Sequence, residues 1–117
     1  MKINFVTIYV ADIEKSIDFY QRVLGMTVSR RFSPRPGMEI AFMGDGAQVE
    51  LIHDPQAKPF QGRGISLGFN VANIDGTLAL LKENRVEIVH GPVSMPNGVK
   101  LLHARDLNGV DLGFVQQ

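Results

Sequence analysis

Few side chains in this 117-residue chain could do chemistry. Cysteine is absent, which excludes disulfides, thiolate metal sites and a cysteine nucleophile. Glu50 is the acidic group best placed for more than solvation. It lies in Gln48-Val49-Glu50-Leu51-Ile52, where strand alternation gives Val49 and Leu51 to a core and turns Glu50 to the opposite face. On an open strand such a glutamate is merely solvated. Inside a concavity it is a ligand, a general base or an ion-pair partner. Near the end of the chain the same parity gives Val110, Leu112 and Phe114 to the core and leaves Asp111 and Gly113 on the other side. His53 falls on core parity near a strand end, His90 lies on an outer strand, and the parity of His103 stays open. No two histidines form a short ligand-spaced motif. Each reads as a surface or satisfied core histidine, with a pocket-lining position the alternative for His103.

The elements that must position these residues follow from periodicity. Between Asn4 and Val10, the apolar Val6, Ile8 and Val10 alternate with Thr7 and Tyr9, the pattern of a strand with one face on a core. Asp12 can cap a helix whose stripe is Ile13, Ile17, Tyr20 and Leu24, widened by Phe19 and Val23 and ended at Gly25. A strand from Met26 to about Phe32 comes next. Ser33-Pro34-Arg35-Pro36-Gly37 reads as a loop, since two prolines and a glycine oppose regular structure. Met38 to Met43 and Gln48 to His53 read as a hairpin about Gly44-Asp45-Gly46. Asp54 to Gly64 reads as a linker, after which the pattern restarts. Ile65, Leu67, Phe69 and Val71 alternate with Ser66, Gly68 and Asn70. Asn73 can cap a helix bearing Ile74, Leu78 and Leu81, and strands follow at about Val86–Val93, Val99–Ala104 and Val110–Val115. The turn Asp106-Leu107-Asn108-Gly109 joins the last two.

The restart is a repeat. Val10-Ala11-Asp12-Ile13 and Val71-Ala72-Asn73-Ile74 match at an offset of 61, and the same offset pairs Ile8 with Phe69 and Ile17 with Leu78. The expected architecture is α+β: two βαβββ modules, about 1–55 and 64–117, in one domain spanning 1–117. They form a cupped mixed sheet with helices on the outer face. The helix stripes need apolar sheet faces, so Phe5, Thr7, Tyr9, Ser66, Gly68 and Asn70 face away from the helices, as does Glu50. That mixed face is a candidate pocket wall. It could equally be wet or packed on another subunit.

Twelve basic and twelve acidic side chains cancel. This leaves no electrostatic footprint for nucleic acid and no basic face for an anionic membrane. The start, MKINFVTIYV, runs straight into a strand pattern, so no secretory signal is expected, and no apolar run is long enough to span a bilayer. A cytoplasmic location is the expectation, and the lack of cysteine is compatible with it.

The segments Val10-Ala11-Asp12-Ile13-Glu14-Lys15-Ser16-Ile17-Asp18-Phe19-Tyr20, Val23-Leu24-Gly25-Met26, Val49-Glu50-Leu51 and Asp106-Leu107-Asn108-Gly109 resemble the vicinal oxygen chelate superfamily. That superfamily includes glyoxalase I, bleomycin-resistance proteins, fosfomycin-resistance enzymes and extradiol dioxygenases. The resemblance covers nearly the whole chain. It implies paired βαβββ modules around a metal or ligand, and a homodimer, with or without module swapping between subunits. The metal-ligand positions it implies are Phe5, Glu50, Ser66 and Gly113. Only Glu50 offers a good donor there. Phe5 has none, Gly113 has no side chain, and a neutral serine hydroxyl is a poor ligand for a transition metal. Catalytic metal sites usually need three protein ligands, so neither metal nor cofactor is expected.

Three functions follow. The first is a metal-free small-molecule-binding protein like the bleomycin-resistance branch. Its ligand-binding residues would be Phe5, Thr7, Tyr9, Phe42, Glu50, Ser66, Gly68, His103 and Gly113, with aromatic rings against a planar ligand and Glu50 on its cationic group. Phe32 could add to that lining. The second is a lactoylglutathione lyase-like lyase or isomerase with Glu50 as the catalytic base. The third is a structural dimer whose cup is filled by its own side chains, Phe5 and Met95 among them.

Overall fold

The computed structural model describes all residues, 1–117. The fold is α+β, with two four-stranded mixed sheets and two helices. The chain divides into two compact units, Met1–Phe60 and Gln61–Gln117, and each repeats strand, helix, three strands.

In the first unit β1 (Phe5–Tyr9) runs parallel to β4 (Gln48–His53), and β3 (Met38–Met43) and β2 (Val28–Arg35) complete the order β1-β4-β3-β2. Helix α1 (Ile13–Asp18) starts because the Asp12 carboxylate accepts from the Lys15 amide at 3.0 Å. It continues through one π-helical turn, Phe19–Val23, which carries the fully buried Tyr20. Gly25 ends it at φ +71°, a conformation glycine adopts without steric cost. The helix covers the face bearing Ile8, Val10, Ala41, Met43, Val49 and Leu51, all buried. Each large apolar side chain there contributes about 1.5–3 kcal/mol relative to exposure.

In the second unit β5 (Ser66–Asn70), β6 (Glu87–Ser94), β7 (Lys100–Arg105) and β8 (Asp111–Gln116) take the order β5-β8-β7-β6. Helix α2 (Ile74–Glu83), capped by Asn73 onto the Gly76 amide at 2.8 Å, packs on β6, β7 and β8. Ile74 and Leu81 of the helix and Leu102 and Leu112 of the sheet are fully buried. The Asp106 turn is held by its own side chain. One Asp106 oxygen accepts from the amides of Asn108 at 2.8 Å and Val110 at 2.9 Å, and Gly109 takes φ +83°.

Two expectations fail. Ser33 to Arg35 is not loop but the end of β2, and only Pro36 and Gly37 remain to turn the chain. β2 is an edge strand with a register shift between Phe32 and Arg35, so the missing amide of Pro34 breaks no ladder. Ile65, expected on the core face, is 63% exposed, because β5 begins only at Ser66.

Candidate functional site

In the first unit the face opposite α1 carries most of the candidate residues. β1 and β4 pair with Thr7 opposite Glu50, and β3 and β4 with Phe42 opposite Glu50. Phe5, Thr7, Tyr9, Phe42 and Glu50 therefore share a face. Glu50 is only 8% exposed, and burying a carboxylate is costly without a donor. Thr7 supplies one, its Oγ1 donating to Glu50 Oε1 at 2.5 Å. No buried side-chain oxygen lacks a partner, so Oε2, which makes no hydrogen bond within the chain, still meets solvent. Beside it the rings of Phe5 and Phe42 meet edge to face, centroids 5.5 Å apart. The Arg30 guanidinium lies 5.0 Å from the Phe32 ring and 5.5 Å from the Phe42 ring.

In the second unit the face opposite α2 holds Ser66, Gly68, His103 and Gly113. Gly68 and His103 both stand opposite Gly113. A Cβ at Gly113 would lie 3.7 Å from Ser66 Oγ and 3.8 Å from His103 Cδ2, so this glycine leaves room between the two. His90 is the cross-strand partner of His103, their ring centroids 6.4 Å apart. Ser66, His90, His103, Arg105 and Asp111 line a pocket of about 210 Å³. Asp111 and then Glu87 hydrogen-bond the Arg105 guanidinium and hold its pKa above the ordinary value.

The donor set does not fit a metal. Of Phe5, Glu50, Ser66 and Gly113, only Glu50 offers an anionic oxygen, and nowhere do three or more His, Asp or Glu side chains converge as a group able to hold an ion. His53 lies on the helix side, Nδ1 within 3.2 Å of the Val10 carbonyl. Sequence reasoning missed two residues on these faces, Arg30 and His90. Both follow register shifts on edge strands, between Val28 and Arg30 and between Ile88 and His90, which break the alternation from which a face is read.

Comparison with known proteins agrees with this architecture. The family model described as Glyoxalase/Bleomycin resistance protein/Dioxygenase superfamily matches residues 2–114. A lactoylglutathione lyase of Neisseria meningitidis is 27% identical, across 100% of this chain and 91% of its own. The mitochondrial methylmalonyl-CoA epimerase of Homo sapiens is 30% identical, across 93% of this chain and 70% of its own. Glyoxalase I of Leishmania major superposes with a TM-score of 0.83 at 19% identity, over 99% of this chain and 86% of that one. With its doubled βαβββ unit and a family match running almost from end to end, the chain belongs to the glyoxalase/bleomycin resistance protein/dioxygenase superfamily.

Proposed function

We propose that this chain is a small-molecule-binding protein whose site works without a transition metal. The observation that carries the reading is the Glu50 carboxylate, buried, fixed by Thr7 and flanked by the Phe5–Phe42 ring pair. Rings of this kind offer flat apolar area to a planar ligand. Oε2 of Glu50 is available to a hydrogen-bond donor or cation on that ligand. Ser66, Gly68, His103 and Gly113 form a second patch, open and polar, for the same class of molecule. The working unit is a homodimer in the cytoplasm, and sedimentation at micromolar concentration tests the dimer.

Elemental analysis of protein purified without a metal-affinity tag is the first test, and a stoichiometric transition metal overturns the reading. A thermal-shift screen against planar aromatics, cationic antibiotics and thiol conjugates is the second, since a ligand that binds only the folded state raises Tm. Glu50→Gln should abolish the shift. If nothing shifts Tm, a cup filled by its own side chains, including Phe5 and Met95, is the better account.

A second reading is a lyase or isomerase with Glu50 as general base, favoured by the relatives named lactoylglutathione lyase and methylmalonyl-CoA epimerase. Enolate charge would then need donors such as Ser66 or His103, since the single hydroxyl proton of Thr7 is given to Glu50. Incubation with the hemithioacetal of methylglyoxal and glutathione separates the two readings: thioester formation that disappears in Glu50→Gln favours the enzyme.

A further inference from the structure

We infer that Arg30 reads an anionic group on the ligand, which makes the ligand class a flat aromatic carboxylate. The inference rests on the binding reading above and specifies the molecule bound at the same face.

The guanidinium groups of this chain are mostly spent. Arg22 is bound to Asp18, Arg31 to Glu14 and Glu39, Arg35 to Asp54, and Arg105 to Glu87 and Asp111. Arg63 donates to the carbonyls of Gly62 and Gly109, and Arg85 sits in the turn after α2. Arg30, like Arg85, meets no carboxylate and no carbonyl, but unlike every other arginine its neighbours are rings, those of Phe32 and Phe42. Contact with a ring engages the flat face of a guanidinium and leaves its edge N–H donors unspent. The result is a cation whose donors are unspent, able to take a carboxylate in two parallel hydrogen bonds.

Its position ties it to Glu50. Arg30 is the cross-strand partner of Phe42, and Phe42 is the partner of Glu50. Arg30 and Glu50 therefore flank Phe42 two strand spacings apart, about 10 Å between backbones. A substituted single ring or a fused pair spans that distance once both side chains lean inward. The polarity is set as well. The acid end belongs at Arg30. A phenol or ring N–H belongs at Glu50, where Thr7 has taken one oxygen and left the other. A single cation beside a buried carboxylate matches a singly charged acid better than a doubly charged phosphate.

The test uses the full chain and titration calorimetry with matched probes: 4-hydroxybenzoate and 6-hydroxy-2-naphthoate against their primary amides. Wild type should bind each carboxylate at least tenfold more tightly than its amide, with the carboxylate's advantage shrinking as salt rises. Arg30→Gln should bring the carboxylate down to the level of the amide without lowering Tm by more than a few degrees. Arg30→Lys, which keeps charge but not the fork, should recover less than half of the loss on a logarithmic scale. Equal binding of acid and amide, unchanged by Arg30→Gln, overturns the inference and leaves the binding reading intact. No binding of any probe, where the thermal-shift screen finds a ligand of another class, also overturns the inference alone; no ligand in either experiment overturns the binding reading with it.

Discussion

Glu50 and Thr7 should be energetically coupled, and a double-mutant cycle measures by how much. The variants are Thr7→Val, which keeps shape and strand preference but removes the donor, Glu50→Leu, which removes the acceptor at similar volume, and the pair. A hydrogen bond to a charged group contributes about 1.5–3 kcal/mol. Here Thr7 is exposed and Oε2 of Glu50 meets solvent, so water competes and the contribution falls below that range, to the roughly 1 kcal/mol of an ordinary hydrogen bond. Thr7→Val alone should cost about 1 kcal/mol, because it leaves an 8%-exposed carboxylate without its protein donor. At about 2.1 cal/mol/K per residue, that is a fall in Tm of about 4 °C for this chain. Glu50→Leu should be close to neutral or stabilising, since it relieves the desolvation of the carboxylate. Thr7→Val should then cost almost nothing in that background. Thermal or urea melts of the four proteins give a coupling of about 1 kcal/mol. A coupling indistinguishable from zero would falsify the view that Thr7 holds the Glu50 carboxylate in place.

Asp106→Ala removes the acceptor of two turn amides and should cost about 2 kcal/mol in a urea melt, with Asp106→Asn costing less because one acceptor oxygen remains. Gly91→Ala should destabilise by about 2 kcal/mol or more, because φ is +97° there and a Cβ would meet the Leu101 carbonyl oxygen at 2.8 Å; an unchanged Tm would count against that backbone. The Arg35 guanidinium beside Asp54 holds its carboxyl below the ordinary 3.8. A depressed carboxylate pKa stabilises the fold above the unfolded value and loses that contribution as pH falls through the folded value. The Tm gap between wild type and Asp54→Asn should therefore be constant from pH 7 to about 5 and close below pH 4; a gap that widens on acidification would refute the pairing.

Much of the fold is legible in the sequence because its causes are local. Period-two apolar runs, Asp12 and Asn73 as caps, and the glycines at 25 and 109 each act within a few residues, and each forms as expected. The repeat extends this to the site, since Phe5 and Ser66, Thr7 and Gly68, and Phe42 and His103 all stand 61 apart at equivalent places in their sheets. The offset is not constant, however. Thr7 faces Glu50 while Gly68 faces Gly113, so the last strand of each unit is displaced by 63. Repeat arithmetic alone would set Glu50 against Asp111, and the resemblance was needed to set it against Gly113. What lay outside the sequence is the edge-strand geometry. Bulges re-aim Arg30 and His90, and their position depends on which strand ends up at the rim, a property of tertiary pairing.

Those rims also bear on self-association. β2 and β6 each leave one side of their backbone unpaired, and a straight unpaired strand is a template on which another chain can add. Each instead carries a proline, Pro34 or Pro92, and a double break in register. A foreign strand would find neither a continuous row of donors nor a constant spacing. The irregularities that turn Arg30 and His90 toward the candidate faces thus also blunt the two edges against sheet-to-sheet aggregation. Straightening β2 with a Pro34→Val change would recover an amide donor and expose the protein to fibril growth at high concentration.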